Sequence, residues 1–361
     1  TITDDSTELS TTDIDLTPVG DAVATANIEP AYSPWFDTVT YSGAFDPAAD
    51  SWLDGWSYLD CVQDVLAGGS LDCTDPNAAV PTTFDSTLPC GDMTTDTSIS
   101  GNVLLQCQVF VKSGATLTIA PGTVIYAETV ASTYTAPSTC DATECTAANS
   151  CIFDADASTC TPFTSVLVVE QGGVINAAGT AAQPITFTAN APVADLVSTA
   201  TTVTDSATGA VTTHGTRGNW GGLIILGKAP VEGGSRAIEG LAHDVPYGGN
   251  DAADDSGTLQ YVRVWHGGAA IAADNEINGI TFGGVGSGTT VDHCEVALNV
   301  DDGFEFFGGT VNAKYLSTLY VGDDAFDTDK GYQGKMQYLV GMIGSQGHYL
   351  AEMDGNKLAA D

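Results

Sequence analysis

A short phrase recurs near the C-terminal end of this 361-residue chain at a nearly constant interval. Residues 301–307 read Asp-Asp-Gly-Phe-Glu-Phe-Phe, and 22 positions later residues 323–329 read Asp-Asp-Ala-Phe-Asp-Thr-Asp. An earlier copy, 278–282, precedes residues 302–306 by 24 positions, and Gly347 begins a weaker copy 22 positions after Ala325. A slightly variable period in the low twenties indicates stacked structural coils, each of which contacts only its neighbours.

Side chains within each copy alternate as they do along a β-strand. Phe304 and Phe306 are apolar and Glu305 lies between them, while Phe326 and Asp327 continue the pattern one coil later. This alternation has a period of two, which differs from the roughly 3.6-residue period of a helix. Short strands and Gly-rich turns therefore predict an all-β fold, a parallel β-helix (solenoid). We expect an inward aromatic ladder that forms the core and an outward acidic ladder.

The pattern divides the chain into three parts. Residues 1–35 are rich in Thr and Asp without periodicity, which predicts an exposed acidic leader or an interaction arm. We expect residues 36–100 to form an N-terminal cap, because the open end of a solenoid exposes apolar interior and unpaired backbone groups. The solenoid is predicted over 101–361, with loop insertions at about 131–163 (Cys-rich) and 190–217 (Thr-rich).

The chain is strongly acidic throughout. Nine Lys plus Arg against 46 Asp plus Glu give a net charge of −37. Such a surface repels nucleic acid and anionic membranes, and no run approaches the ~20 apolar residues that span a bilayer. An acidic surface suits a salty environment outside the cell that contains calcium, so we expect a secreted protein, extracellular or at the cell surface. No secretion signal begins the sequence, and we expect that one has been removed or precedes the numbering.

Cysteine usage also indicates an oxidising exterior. Eight of the nine cysteines predict four disulfides of unreadable connectivity. They are Cys61, Cys73, Cys90, Cys107, Cys140, Cys145, Cys151 and Cys160. Zinc is the alternative for the last four, but their spacing is irregular and no His is near. Cys294 alternates in phase with Val296, which predicts a buried free thiol.

The recurring phrase also supplies a candidate metal site. Its acidic members are Asp301, Asp302, Glu305, Asp323, Asp324 and Asp327. Equivalent residues of adjacent coils lie ~4.8 Å apart, and carboxylates that close repel one another unless a cation intervenes. Calcium takes about six to eight oxygen ligands, so the ladder predicts Ca²⁺ binding. The alternative is that these acids cap turns by accepting hydrogen bonds from backbone N–H groups.

The sequence also contains a weaker acidic cluster and a pattern that resembles an enzyme site. The second cluster is Asp251, Asp254 and Asp255. Asp323 and Asp324, with His348 one coil later, resemble the carboxylates plus His of β-helix hydrolases, in which two carboxyl groups act as acid and base. No Arg-x-Lys element follows His348, however, and the alignment of His348 with Phe326 predicts that it faces the core. Arg263 is the best available base for a lyase.

Several Gly-rich strings resemble a group of secreted or surface-anchored right-handed parallel β-helix proteins, common in marine bacteria, mostly uncharacterised and lipoprotein-like. The strings that carry the resemblance include 218–229, 256–263, 275–289 and 301–314. The resemblance extends over roughly residues 36–355 and implies a right-handed solenoid. The group has no settled activity to carry over, and the Cys-rich loop departs from its pattern, which leaves a eukaryotic host open.

These features favour a non-enzymatic role, and no catalytic residue is assigned. The prediction is an extracellular structural or adhesive protein, a rigid acidic rod that binds calcium and associates with itself or with other matrix and surface components. No cap follows the last coil, so we expect the natural chain to continue past Asp361 or this end to meet another molecule. Coils that stack end to end form a contact that does not close and therefore grows into a filament. The alternative is a polysaccharide-binding or polysaccharide-cleaving protein, pectate-lyase-like or polygalacturonase-like.

Overall fold

The computed structural model describes four main stretches of the chain. They are residues 34–60, 81–128, 164–190 and 217–355, with short gaps at 38, 40–42, 47–48, 239–240, 242, 273–274 and 345–346. The backbone alone is described for 151–154, 159–162, 201–204, 211–214, 270–272 and 275–276. The predicted leader arm, apart from its last two residues, therefore lies outside the described part of the chain.

Within these stretches the regular structure is almost entirely β. The strands are β1 (Ser86–Thr87), β2 (Gly91–Met93), β3 (Thr97–Ile99), β4 (Asn102–Leu105), β5 (Gln108–Val111), β6 (Thr116–Ile119), β7 (Val124–Ala127), β8 (Cys151–Asp154), β9 (Thr159–Pro162), β10 (Val166–Val169), β11 (Val174–Ala178), β12 (Ile185–Ala189), β13 (Thr201–Thr204), β14 (Val211–His214), β15 (Leu223–Leu226), β16 (Arg236–Ile238), β17 (Val245–Tyr247), β18 (Gly257–Trp265), β19 (Ala270–Ala272), β20 (Asn275–Glu276), β21 (Ile280–Gly283), β22 (Thr290–Ala297), β23 (Phe304–Phe307), β24 (Asn312–Leu319), β25 (Phe326–Asp329), β26 (Lys335–Met342) and β27 (Ala351–Met353). No helix among the described residues is long and apolar enough to cross a membrane.

Two long parallel sheets organise the fold. The front sheet has the order β2-β5-β10-β15-β21-β23-β25-β27, and each of its strands pairs in parallel with the strand of the neighbouring coil. The back sheet contains eleven strands, which are also parallel. The chain therefore winds as a right-handed parallel β-helix, and the predicted fold class is confirmed. Strands β1, β2 and β3 already belong to these sheets, ahead of the predicted solenoid start at 101.

The back sheet bends at a column of residues with left-handed backbone. Strand β18 pairs with β11 along 257–260 and with β12 along 262–264, and Tyr261 between the two halves has a φ of 48°. The left-handed equivalents in the next coils are His293, Tyr315 and Tyr338, with φ of 50°, 57° and 62°. Non-glycine residues rarely adopt this conformation. The bend turns one long strand around a corner of the coil, and the four rings stack at 4.5, 4.3 and 4.5 Å.

The core contains the predicted aromatic ladder. The rings of Phe282 and Phe306 stack at 5.0 Å between centroids, and those of Phe304 and Phe326 stack at 5.7 Å. All four side chains are buried. Equivalent strands of adjacent coils are in register, so identical side chains stack and exclude water along the axis of the solenoid.

An inserted hairpin, β16 and β17, covers part of the outward face of the front sheet. Phe110, Val168 and Ile224 point outward in successive coils but are buried. They form one apolar cluster with residues of the insertion, among them Val245 and Tyr247. The outward-facing side chains of the front sheet therefore change from apolar under the hairpin to polar at β21 and beyond. The hairpins β8–β9 and β13–β14 lie within the predicted Cys-rich and Thr-rich insertions.

Residues 43–46 and 49–60, part of the predicted cap, pack along the side of the solenoid and are here named the flank segment. Trp52 and Trp56 contact the stacked rings of the back sheet, and both lie 6.0 Å from the His293 ring. Glu295, which is fully buried, accepts hydrogen bonds from the Tyr58 backbone N–H at 2.8 and 3.0 Å. The flank segment is thus tied to the solenoid by aromatic packing and by one buried carboxyl group.

The cysteines give a partial test of the predicted disulfides. Cys90 and Cys107 form a disulfide. Cys294 is a buried free thiol, as predicted, and burial raises its pKa to about 12. The side chains of the other six cysteines lie outside the described part of the chain.

Candidate functional site

The front sheet brings the six predicted acidic residues together. Glu305 pairs with Asp327 one coil later, so both point away from the core, and the Asp-Asp pairs lie in the turns just before β23 and β25. Three overlapping groups have possible ligand atoms within 4.8 Å of one another. These groups are Asp302 with Glu305 and Asp327, Asp301 with Asp302 and Asp323, and Asp323 with Asp324 and His348. We call this set the acidic cluster.

His348 belongs to the acidic cluster, and the prediction that it faces the core is wrong. Ala351, and not His348, pairs with Phe326, so the last repeat is 25 residues long instead of 22. His348 therefore precedes β27 by three residues and lies outside the strand that continues the inward ladder. The His348 side chain is 59% exposed, and its Nδ1 lies 3.4 Å from Asp323 and 3.8 Å from Asp324.

The two aspartates nearest the core also cap the turns, as the alternative interpretation predicted. Asp302 Oδ1 accepts a hydrogen bond from the Asp324 N–H at 2.9 Å. Asp324 Oδ1 accepts one from the Tyr349 N–H at 2.6 Å. Each carboxylate thus holds the backbone of the following coil. Capping and clustering are compatible, because each of these aspartates keeps a second oxygen.

Crowding raises the pKa values of the inner members of the cluster. Burial, followed by the nearby Asp301 carboxylate, raises the pKa of Asp302 to about 8. Burial and then the neighbouring Asp302 carboxylate raise the pKa of Glu305 well above its usual value. Burial also raises the pKa of Asp324 and of Asp327. Removing water penalises the charged form of a carboxyl group, and like charges nearby penalise it further.

Two residues that the sequence interpretation missed complete the site. Asn278 Nδ2 donates a hydrogen bond to Glu305 Oε2 and one of 3.4 Å to Thr281 Oγ1. Glu352 follows Asp327 in the outward ladder. The signal for Asn278 was present, because Asn278-Gly279 aligns with Asp302-Gly303 in the repeat. Glu352 was hidden by the misplaced register of the last coil.

The solvent-accessible rim of the cluster is formed by the segments that precede β25 and β27. Asp323 and His348 are exposed there, whereas Asp324 behind them is only 1% exposed. Tyr349 is half exposed, and its ring lies 3.8 Å from that of His348. The rim therefore offers an imidazole, carboxyl groups and an aromatic ring to a ligand from solvent.

Arg263, the predicted best base for a lyase, is held in structural contacts. Its guanidinium donates hydrogen bonds to the Trp56 carbonyl at 2.7 Å and to Thr186 Oγ1, and it stacks over the Trp265 ring at 4.4 Å. It lies on the back sheet beneath the flank segment. The weaker acidic cluster is likewise used locally, since Asp251 accepts from the Ala253 N–H and Asp255 from the Gly257 N–H.

Comparison with known proteins agrees with the architecture of this region. Residues 204–360 match the model of the pectate-lyase like β-helix domain family. This stretch is less than half of the chain, and it contains the front-sheet strands from β15 onward together with the whole acidic cluster. No curated protein and no solved structure matches the chain.

Proposed function

We propose that this protein binds an extracellular polysaccharide at the rim of the acidic cluster and hydrolyses its glycosidic bonds. The observation that carries the proposal is the position of His348, which lies exposed beside Asp323 and Asp324 instead of in the core. The sequence repeat alone argues against hydrolysis, partly because it predicts that His348 faces the core. The likeness of residues 204–360 to a pectate-lyase like domain supports a polysaccharide as the ligand class.

The chemistry of the rim suits glycoside hydrolysis. Such reactions use one carboxyl group to protonate the departing oxygen and a second to activate water or attack the sugar. Asp323 and Asp324 supply two carboxyl groups in different surroundings, one exposed and one buried. His348 Nδ1 lies within 4 Å of both and is placed to orient them or to relay a proton. The exposed Tyr349 ring beside it is placed to stack against the apolar face of a sugar.

The test is the release of reducing ends from a panel of neutral and uronate-containing polysaccharides. We expect the wild-type protein to cleave at least one of them, and Asp324→Asn and His348→Ala to lower the rate by ~10²-fold or more. Asp244→Asn, which neutralises an exposed acid away from the cluster, is the matched control. Failure to cleave any polymer, or equal rates in all four proteins, would refute the proposal.

A structural role remains the second candidate, because β27 and the two residues before it present apolar side chains to solvent. Tyr349, Leu350 and Met353 are 50, 51 and 60% exposed, and they are the large exposed hydrophobic residues of the described chain. Exposed apolar groups at the edge of a sheet favour pairing with another molecule. Electron microscopy at high concentration tests this role: filaments would support end-to-end association, and compact monomers would count against it.

A further inference from the structure

We propose that a hard divalent cation binds beneath the rim, between three consecutive coils, with Asn278, Asp302, Glu305 and Asp327 as its protein ligands. Asn278 precedes β21, Asp302 and Glu305 belong to the coil of β23, and Asp327 lies in β25. This inner site uses neither Asp323 nor His348 as a ligand, although Asp302 also lies within 4.8 Å of Asp323. It does not depend on the proposed hydrolysis.

The spacing of the oxygens matches the coordination sphere of calcium. Ligand oxygens of Asp302, Glu305 and Asp327 lie within 4.8 Å of one another. Two oxygens bound to one calcium ion at about 2.3–2.6 Å are at most about 5 Å apart. One ion can therefore contact all three carboxylates. All donors of the site are oxygens, which favours calcium or magnesium over zinc or copper.

Two buried oxygens independently indicate a missing partner. Asn278 Oδ1 and Asp327 Oδ1 are both inaccessible to solvent, and neither has a hydrogen-bond partner in the described part of the chain. Their residues are only 5 and 9% exposed. Burying a polar atom without a partner is costly, so such atoms usually have one. The Asn278 amide lies within the site, because its Nδ2 contacts Glu305 Oε2.

No basic side chain compensates this charge among the described residues. Two ion pairs nearby join His348 to Asp323 and to Asp324, and within the described stretches Asp302, Glu305 and Asp327 take part in none. Three buried acids on adjacent coils must therefore hold protons or share a cation. A cation would also satisfy the two unpartnered oxygens. Binding would clamp three coils together, because each coil supplies at least one ligand.

The experiment is calorimetric titration of chelator-treated protein with calcium chloride, together with thermal unfolding at increasing calcium concentration. We expect saturable binding and a melting temperature that rises by several degrees, with magnesium binding more weakly. The double variant Glu305→Gln/Asp327→Asn should lose the response, and Asn278→Ala should weaken the affinity at least tenfold. Asn278→Asp keeps an oxygen at the same position and should retain binding.

Matched variants separate this inference from the proposed hydrolysis. His348→Ala should leave calcium binding unchanged while it abolishes cleavage, and Asp244→Asn should leave both unchanged. Absence of binding heat and of any melting shift in the wild-type protein would overturn the proposal. An unchanged calcium response in the Glu305→Gln/Asp327→Asn protein would also overturn it, since the ion would then bind elsewhere. The Glu305→Gln/Asp327→Asn protein is expected to fold, because these substitutions remove repulsion between the carboxylates. If it does not fold, the calcium affinities of Asn278→Ala and Asn278→Asp test the proposal instead.

Discussion

Glu295 provides the sharpest test of how the flank segment is attached. The side chain is fully buried and accepts hydrogen bonds from the Tyr58 N–H and, at 3.1 Å, from the Trp265 indole N–H. Replacement by alanine removes the acceptor but leaves both donors in place. Replacement by glutamine keeps the shape and one carbonyl acceptor, and its amide can donate to Ser317 Oγ, which lies 3.4 Å from Glu295 Oε2.

The expected magnitude follows from those contacts. A buried donor left without an acceptor costs about 1–3 kcal/mol, so Glu295→Ala should lower the free energy of unfolding by about 2–6 kcal/mol. Glu295→Gln should cost less than about 1.5 kcal/mol, because the oxygen that faces both donors can be preserved. The Arg263 guanidinium adds to the loss in the alanine variant, since its charge attracts the Glu295 carboxylate.

Urea denaturation followed by tryptophan fluorescence measures both variants, since Trp52, Trp56 and Trp265 all lie at this contact. Glu128→Ala is the matched control. It removes a half-buried glutamate whose hydrogen bond to Gln106 lies at the surface, and it should change stability by less than about 0.5 kcal/mol. A loss below about 1 kcal/mol in Glu295→Ala, or equal losses in the alanine and glutamine variants, would refute the reasoning.

The same residue predicts a direction of pH dependence. Burial raises the pKa of Glu295 above its ordinary value of 4.5, against the opposing effect of its hydrogen bonds. The folded protein therefore binds this proton more tightly than the unfolded chain does. Its contribution to stability is complete below pH 4.5 and is lost as pH rises through the folded-state pKa. The stability of Glu295→Gln relative to wild type should therefore increase as the pH rises from 4.5. A decrease in this relative stability over the same pH range would contradict the prediction.

Two further perturbations test the packing of the coils. A Cβ at Gly322 would overlap the Val300 carbonyl oxygen, whereas a Cβ at Gly355 meets nothing within 4 Å. In urea unfolding, Gly322→Ala should therefore lower the free energy of unfolding by more than ~2 kcal/mol, and Gly355→Ala should lower it by less than ~0.5 kcal/mol. Equal losses would contradict the close approach of Gly322 to Val300. The Tyr315 ring stacks on His293 at 4.3 Å and on Tyr338 at 4.5 Å. Since each ring pair contributes ~0.5–1.5 kcal/mol, Tyr315→Leu should lower the free energy of unfolding by about 1–3 kcal/mol in the same assay. No loss would show that the stacked rings of the back sheet do not stabilise the fold.

The sequence predicted the fold because the repeat itself encodes it. The alternation of Phe304, Glu305 and Phe306, repeated at nearly constant spacing, specifies strands that stack in register, and the observed pairs Phe304 with Phe326 and Glu305 with Asp327 follow from it. The acidic cluster was predictable for the same reason. The predicted set lacked Asn278, Glu352 and His348, and of these Asn278 was visible in the alignment of the copies.

The position of His348 could not be predicted with the same reasoning. A constant repeat of 22 places it with Phe326, but the last coil contains three more residues. One of them lies between β25 and β26, and two lie between Met342 and Ala351. Turns of a solenoid tolerate insertions because they lie at the surface. Sequence periodicity therefore locates the strands better than the residues in the turns between them, and the turns carry much of the candidate site.

Local alternation and the length of the repeat determined the parallel β-helix, its aromatic core and its acidic face, because these depend only on neighbouring residues and adjacent coils. Tertiary structure alone decided that Glu295 and Arg263 hold a segment from more than 200 positions earlier. It also decided that the hairpin of β16 and β17 covers the apolar part of the outward face of the front sheet. Such contacts join distant parts of the chain through burial and unpaired hydrogen-bonding groups, and no periodic pattern records them.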